Sequence, residues 1–188
     1  LGEERIGGAV TGIGDFNGDG IDDFIVSATG YNGYLGYEGA AYIIYGSDQP
    51  IAGPINLRTL TPTEGFKIVG TEYHDDVGAA LAAAGDFNGD GFDDVIIGAP
   101  SDFESLYTGE AYILFGTDQT FTSQFDLGGF DETDGVKLTG IANGDNFGSN
   151  LSGAGDLNGD GVGDLAIGKR DAPNSRGSVQ LLLLNVDG

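Results

Sequence analysis

Asp15-Phe16-Asn17-Gly18-Asp19-Gly20-Ile21-Asp22-Asp23 decides the reading of this chain, because it occurs three times. It returns as Asp86-Phe87-Asn88-Gly89-Asp90-Gly91-Phe92-Asp93-Asp94 and as Asp156-Leu157-Asn158-Gly159-Asp160-Gly161-Val162-Gly163-Asp164, displaced by 71 and then 70 residues. An apolar residue followed by glycine (Ile6-Gly7, Val77-Gly78, Phe147-Gly148) stands nine residues ahead of the first Asp in every copy. Unrelated loops do not hold such a register, so the chain is built from repeats.

Around each acidic run the pattern predicts short strands. The segment before it is rich in Gly and Ala (7–12, 78–84, 148–154), poor strand formers that fit where backbones crowd, as in the innermost strand around an axis. The segment after it is apolar on successive residues, Phe24-Ile25-Val26, Val95-Ile96-Ile97 and Leu165-Ala166-Ile167, as expected for a strand covered on both faces. A third segment (40–45, 111–115, 178–184) is aromatic and branched, and a fourth (66–69, 136–139) alternates apolar with polar, as a half-exposed outer strand should. The count is eleven strands and no helix of useful length.

Four-stranded antiparallel units in series make an all-β chain of β-propeller blades. The expected blades are 1–70, 71–140 and 141–188, the last without its outer strand. Closed propellers have about four to eight blades, so three leave two open faces unless more sequence continues the chain or copies assemble; two copies would supply six. The sequence has no Met, which reads as a segment of a longer product.

Within each acidic run, side-chain oxygens fall at positions 1, 3, 5 and 9, and position 7 offers a backbone carbonyl. That is a hard-oxygen shell of the kind that suits Ca²⁺, with no His or Cys that would favour zinc or copper. The three expected sites are Asp15, Asn17, Asp19, Ile21 and Asp23; Asp86, Asn88, Asp90, Phe92 and Asp94; and Asp156, Asn158, Asp160, Val162 and Asp164. Position 12, a bidentate Glu in the helix-flanked calcium hand, is Val26, Ile97 or Ile167, so this loop joins strands instead. Solvated Asp/Asn/Gly turns are the bland reading of one such run; threefold repetition at ligand spacing favours the metal. Gly20, Gly91 and Gly161 permit the bend, and position 8 (Asp22, Asp93, Gly163) is expected to point outward.

The apolar-Gly pairs, the Asp-x-Asn-Gly-Asp-Gly-x-x-Asp runs and Gly98-Ala99-Pro100 resemble the FG-GAP repeat of integrin α-subunit propellers and their bacterial relatives. The resemblance spans almost the whole chain. It implies a calcium loop between the first and second strands of each blade and ligand binding on the opposite rim. Ser27-Ala28-Thr29 and Gly168-Lys169-Arg170 depart from Gly-Ala-Pro.

Thirty Asp and Glu against seven Lys and Arg give a formal charge of -23, which makes nucleic acid and anionic lipid surfaces repellent partners. No apolar run is long enough for a helical membrane span, so no membrane insertion is expected. Without Cys there is no disulfide framework and no thiol nucleophile.

Tyr31, Tyr34 and Tyr37 recur every third residue on the loop between the second and third strands, where aromatics stack on a sugar, dock a protein, or fold back over the open blade. Lys169, Arg170 and Arg176 place three of the basic residues on the equivalent loop of the third unit, fit for an acidic ligand group or simply for solvent. The single histidine, His74, has no nucleophile or acid partner in a recognisable catalytic set. The expectation is a non-catalytic calcium-binding module, extracellular or at the cell surface, that recognises a protein or carbohydrate ligand. A lectin-like propeller and an accessory domain of a secreted enzyme are the alternatives.

Overall fold

Each acidic loop folds one strand back onto the next, and that hairpin is the unit from which the chain is assembled. The computed structural model describes residues 4–33, 36, 38–50, 53–72, 74–101, 108–160, 162–169 and 178–182. In the first unit, β1 (Ile6–Gly14) pairs antiparallel with β2 (Asp23–Ala28), β2 with β3 (Ala40–Ile44), and β3 with β4 (Gly65–Val69). The second unit repeats this with β5 (Leu81–Gly85), β6 (Asp94–Ala99), β7 (Glu110–Leu114) and, after a short β8 (Gln124–Asp126), β9 (Gly135–Thr139). The third supplies β10 (Phe147–Gly155), β11 (Asp164–Lys169) and β12 (Ser178–Leu182). These are all-β propeller blades in an incomplete ring, as the repeat pattern predicts. Among the described residues no helix is long and apolar enough to cross a membrane.

The Gly/Ala-rich strands lie innermost: β5 contacts both β1 and β10, its counterparts in the flanking units. The crowding is visible at Gly78, which holds φ +85, and a Cβ there would stand 2.6 Å from the carbonyl oxygen of Ala40 in the preceding sheet. The second strands are covered on both faces because consecutive side chains enter different cores. Ile25 joins Ile43, Phe66, Val95 and Ile97 between the first and second sheets, while Val26 joins Tyr42 and Ile44 on the outer face of the first. Ile96, Ile113, Leu165 and Ile167 form the core between the second and third sheets.

β8 is a twelfth strand beyond the eleven expected. It belongs in sequence to the second unit but pairs in parallel with β4 of the first, Ile68 opposite Phe125, making that sheet five-stranded. This strap also corrects the expectation of half-exposed outer strands. β4 is buried at four of its five positions, because the strap lays Phe121 against Phe66 with ring centroids 4.1 Å apart. β9, which no later strap covers among the described residues, keeps the alternating exposure.

Candidate metal loops

In the first loop the side-chain oxygens at positions 1, 3 and 5 turn inward onto the loop's own amides. The Asp19 N–H donates to Asp15 Oδ1 at 3.0 Å and to Asn17 Oδ1 at 2.9 Å. Gly20 N–H reaches Asp15 Oδ2 at 2.9 Å and Ile21 N–H reaches Asp19 Oδ1 at 2.9 Å. The second loop repeats this, Asp90 N–H donating to Asp86 Oδ1 and Asn88 Oδ1, both at 3.0 Å, and Phe92 N–H to Asp90 Oδ1 at 2.9 Å. So does the third, with Asp160 N–H bonded to Asp156 Oδ1 and Asn158 Oδ1 at 3.0 Å each, and Val162 N–H to Asp160 Oδ1 at 2.9 Å.

Three of the four oxygen-bearing side chains thus surround one turn in every copy. Among the described residues, however, no three His, Cys, Asp or Glu side chains converge closely enough to hold a metal ion. The donor set fits a hard cation, since each carboxylate oxygen has more than one acceptor site and one N–H occupies only part of its capacity.

Position 9 has a structural task that the sequence reading missed. Asp23, Asp94 and Asp164 are buried. Asp23 Oδ2 accepts from the amides of Phe16 and Asn17 at 3.1 and 3.3 Å, and its Oδ1 accepts from Gly46, just past β3, at 2.7 Å. Asp94 takes Phe87 and Gly116 N–H in the same way, both at 2.8 Å, and Asp164 takes Leu157 N–H at 2.6 Å. Burial pushes the Asp23 and Asp94 carboxyls up to about 6 against the pull of these amides. The recurrence of Gly46 and Gly116 directly after the third strand was the available signal.

Position 8 does not point out to solvent in the second loop. Asp93 reaches back to the first, its Oδ2 accepting the Asp15 N–H at 2.9 Å while its own N–H donates to the Asp15 carbonyl at 3.1 Å. Loops of adjacent units are therefore bonded to each other.

On the rim opposite these loops, Tyr31 packs against the outer core of the first sheet, and Lys67 Nζ lies 4.2 Å from its ring centroid. Tyr34, Tyr37, Arg170, Arg176 and Gly161 lie outside the described residues. Lys169 forms an ion pair with Asp145 at 3.1 Å. His74 adopts φ +62 in the turn before the second unit.

Comparison with known proteins places these repeats. The FG-GAP repeat profile matches residues 7–44, 77–114 and 147–182, more than half of the chain. Human phosphatidylinositol-glycan-specific phospholipase D is 35% identical over 90% of this chain and 19% of its own length. Integrin alpha pat-2 of Caenorhabditis briggsae is 32% identical over 96% of the chain and 14% of its own length, and mouse integrin alpha-E 30% over 84% and 13%. The chain spans less than a fifth of each of these relatives.

Proposed function

Since the chain belongs to the FG-GAP repeat family, we propose that it is a calcium-binding, non-catalytic propeller module serving adhesion or ligand recognition outside the cell. The observation that carries the metal reading is the oxygen-only turn set identically into the first hairpin of all three units. Asp15, Asn17, Asp19 and Asp23, with the Ile21 carbonyl, would hold the first ion; Asp86, Asn88, Asp90, Asp94 and the Phe92 carbonyl the second; Asp156, Asn158, Asp160, Asp164 and the Val162 carbonyl the third. Bound there, calcium supplies charge neutralisation and a fixed turn.

The residues themselves supply the need for it. Several carboxylates in one turn repel each other by on the order of a few kcal/mol at an effective dielectric of ~20. Ligands that gather only in the folded chain convert metal affinity into folding stability. Extracellular modules of this kind bind calcium at roughly 10⁻⁴ to 10⁻³ M, which fills them outside cells. Ligand recognition is assigned to the rim opposite the loops, where the strand-connecting segments vary from unit to unit. The relatives share with this chain a stretch short of a fifth of their length, and in this chain that stretch carries the three repeats.

The test is a thermal melt with millimolar calcium and with chelator, alongside calorimetric titration of the metal. Calcium is expected to raise the midpoint and to bind at three sites. An unchanged midpoint and no heat of binding overturn the metal reading.

A further inference from the structure

Five asparagines of this chain stand directly before glycine: Asn17, Asn32, Asn88, Asn143 and Asn158. In such a pair the glycine nitrogen can attack the asparagine side-chain carbon, because no Cβ stands in its way and glycine reaches the conformations that ring closure requires. The N–Cγ bond forms as the Cγ–Nδ2 bond breaks and ammonia leaves, giving a succinimide. Water then opens that ring to isoaspartate or aspartate, so one carboxamide becomes one carboxylate with no other reagent. We infer that Asn143 is the place where the folded chain modifies itself in this way, and that the fold protects the other four.

The three asparagines of the acidic loops are held at both ends of their carboxamides. Asn17 Nδ2 donates to Asp19 Oδ2 at 3.1 Å while its Oδ1 accepts the Asp19 N–H at 2.9 Å. Asn88 makes the same pair with Asp90 at 2.8 and 3.0 Å, and Asn158 with Asp160 at 3.0 Å each. Cyclisation makes the carboxamide carbon tetrahedral and expels the nitrogen, so both bonds are given up on the way. At Asn32 it is the nucleophile that is held: Gly33 N–H donates to Glu38 Oε2 at 2.7 Å, and Glu38 is buried. The attacking nitrogen must lose its proton, and a carboxylate in contact with it opposes the negative charge left behind.

Among the described residues Asn143 meets neither restraint. It is exposed in the turn between β9 and β10, which is closed by the Asp145 N–H on the Ala142 carbonyl at 3.0 Å and carries Gly144 at φ +81. No hydrogen bond among the described residues holds its carboxamide or the Gly144 N–H. Attack within one residue pair needs no reagent to reach Gly144, and the exposed Asn143 side chain gives water access to the ring. Isoaspartate adds a methylene to the main chain and a carboxylate close to Asp145, which accepts the Ala142 N–H at 3.0 Å and pairs with Lys169 at 3.1 Å. A turn on the rim opposite the acidic loops is thus the first to age.

The test is incubation of the full folded chain at physiological temperature and mildly alkaline pH in chelator, beside a sample unfolded in urea. Peptide mapping by mass spectrometry follows deamidation and isoaspartate at each of the five positions. In urea the five are expected to react at similar rates. In the folded chain Asn143 is expected to lead, and the three loop asparagines to lag it by roughly tenfold or more, the worth of the two hydrogen bonds each must break. Asn143→Gln is expected to remove the leading product and leave the other four rates unchanged. Asn143 unreactive while the urea sample converts, or any of the other four keeping pace with it, overturns the inference. Because calcium is withheld, the outcome is independent of the metal reading, which the melting midpoint tests separately.

Discussion

Asp93 and Asp15 form a two-way hydrogen-bonded pair across the first seam: the Asp93 carboxylate takes the Asp15 N–H at 2.9 Å, and the Asp15 carbonyl takes the Asp93 N–H at 3.1 Å. Two acidic residues, expected to repel, are joined through the backbone of Asp15 and both the side chain and the backbone N–H of Asp93. The position is Asp22 in the first unit, which lines a cavity beside Phe24 and Ile44, and Gly163 in the third, which has no side chain to offer.

Replacing Asp93 by Ala therefore removes a charge-assisted bond between units. The expected loss is about 1–2 kcal/mol of unfolding free energy, as for a hydrogen bond to an ionised group at a partly buried site. Asp22→Ala, at an exposed position, is expected to change stability by less than about 0.5 kcal/mol. Urea unfolding followed by circular dichroism checks both.

Phe16 fills the space between the first sheet and the strap, so Phe16→Ala leaves a cavity lined by Phe66 and Phe121. A cost of about 3–5 kcal/mol is expected for truncating a buried aromatic. The equivalent change at exposed Leu157 is expected to cost less than about 0.5 kcal/mol. Denaturation midpoints of the two variants should differ accordingly.

Asp75 and Asp145, equivalent by repeat, are expected to respond to pH with opposite sign. Burial, reinforced by Glu110 and Glu72, raises the Asp75 carboxyl above 3.8 despite its bonds from the Thr71 and Glu72 amides. Its contribution to stability is present below the unfolded value and is lost as pH rises through the folded one. Asp75→Asn, which keeps an oxygen for both amides, should thus stabilise the protein at neutral pH and lose that advantage in acid. At Asp145 burial works upward but is outweighed by the Ala142 amide and the Lys169 ammonium, which hold the carboxyl below 3.8. Asp145→Asn should destabilise at neutral pH, the effect fading as pH falls through the lowered value. Urea titrations at neutral and acid pH give both slopes.

Gly78→Ala forces a side chain into left-handed backbone and against the Ala40 carbonyl at 2.6 Å. A loss of about 1–3 kcal/mol is expected from backbone strain, and more if the sheets must part. Gly53→Ala, with open space around its Cβ, is expected to be neutral or slightly stabilising. Equilibrium unfolding of the pair separates steric cost from the general effect of removing a glycine.

The hairpins around the acidic runs were legible in the sequence because their signal is local: turn residues at fixed spacing between apolar segments. The strap was not. Gln124-Phe125-Asp126 is three residues of polar, aromatic, polar character, and its partner β4 lies more than fifty residues away, so no window on the sequence pairs them. The outward expectation for position 8 failed in the second loop for the same reason, since the bond from Asp93 leads to another unit, while Asp22 in the first loop is exposed. Position 9 was read for its oxygen alone. That it is buried and tied to Gly46 or Gly116 depends on where the third strand ends. For Tyr31, composition allowed either a contact with a ligand or a cover for the blade, and the ring rests on the first sheet beneath Lys67.

The strap also sets an order for biosynthesis. The first sheet cannot be sealed until residues 124–126 have left the ribosome and returned to β4, so the earliest repeat to be made must wait, half-finished, for the second. A nascent chain arrested before that point would hold Phe66 uncovered and invite aggregation, while one released just after it would carry a completed first blade.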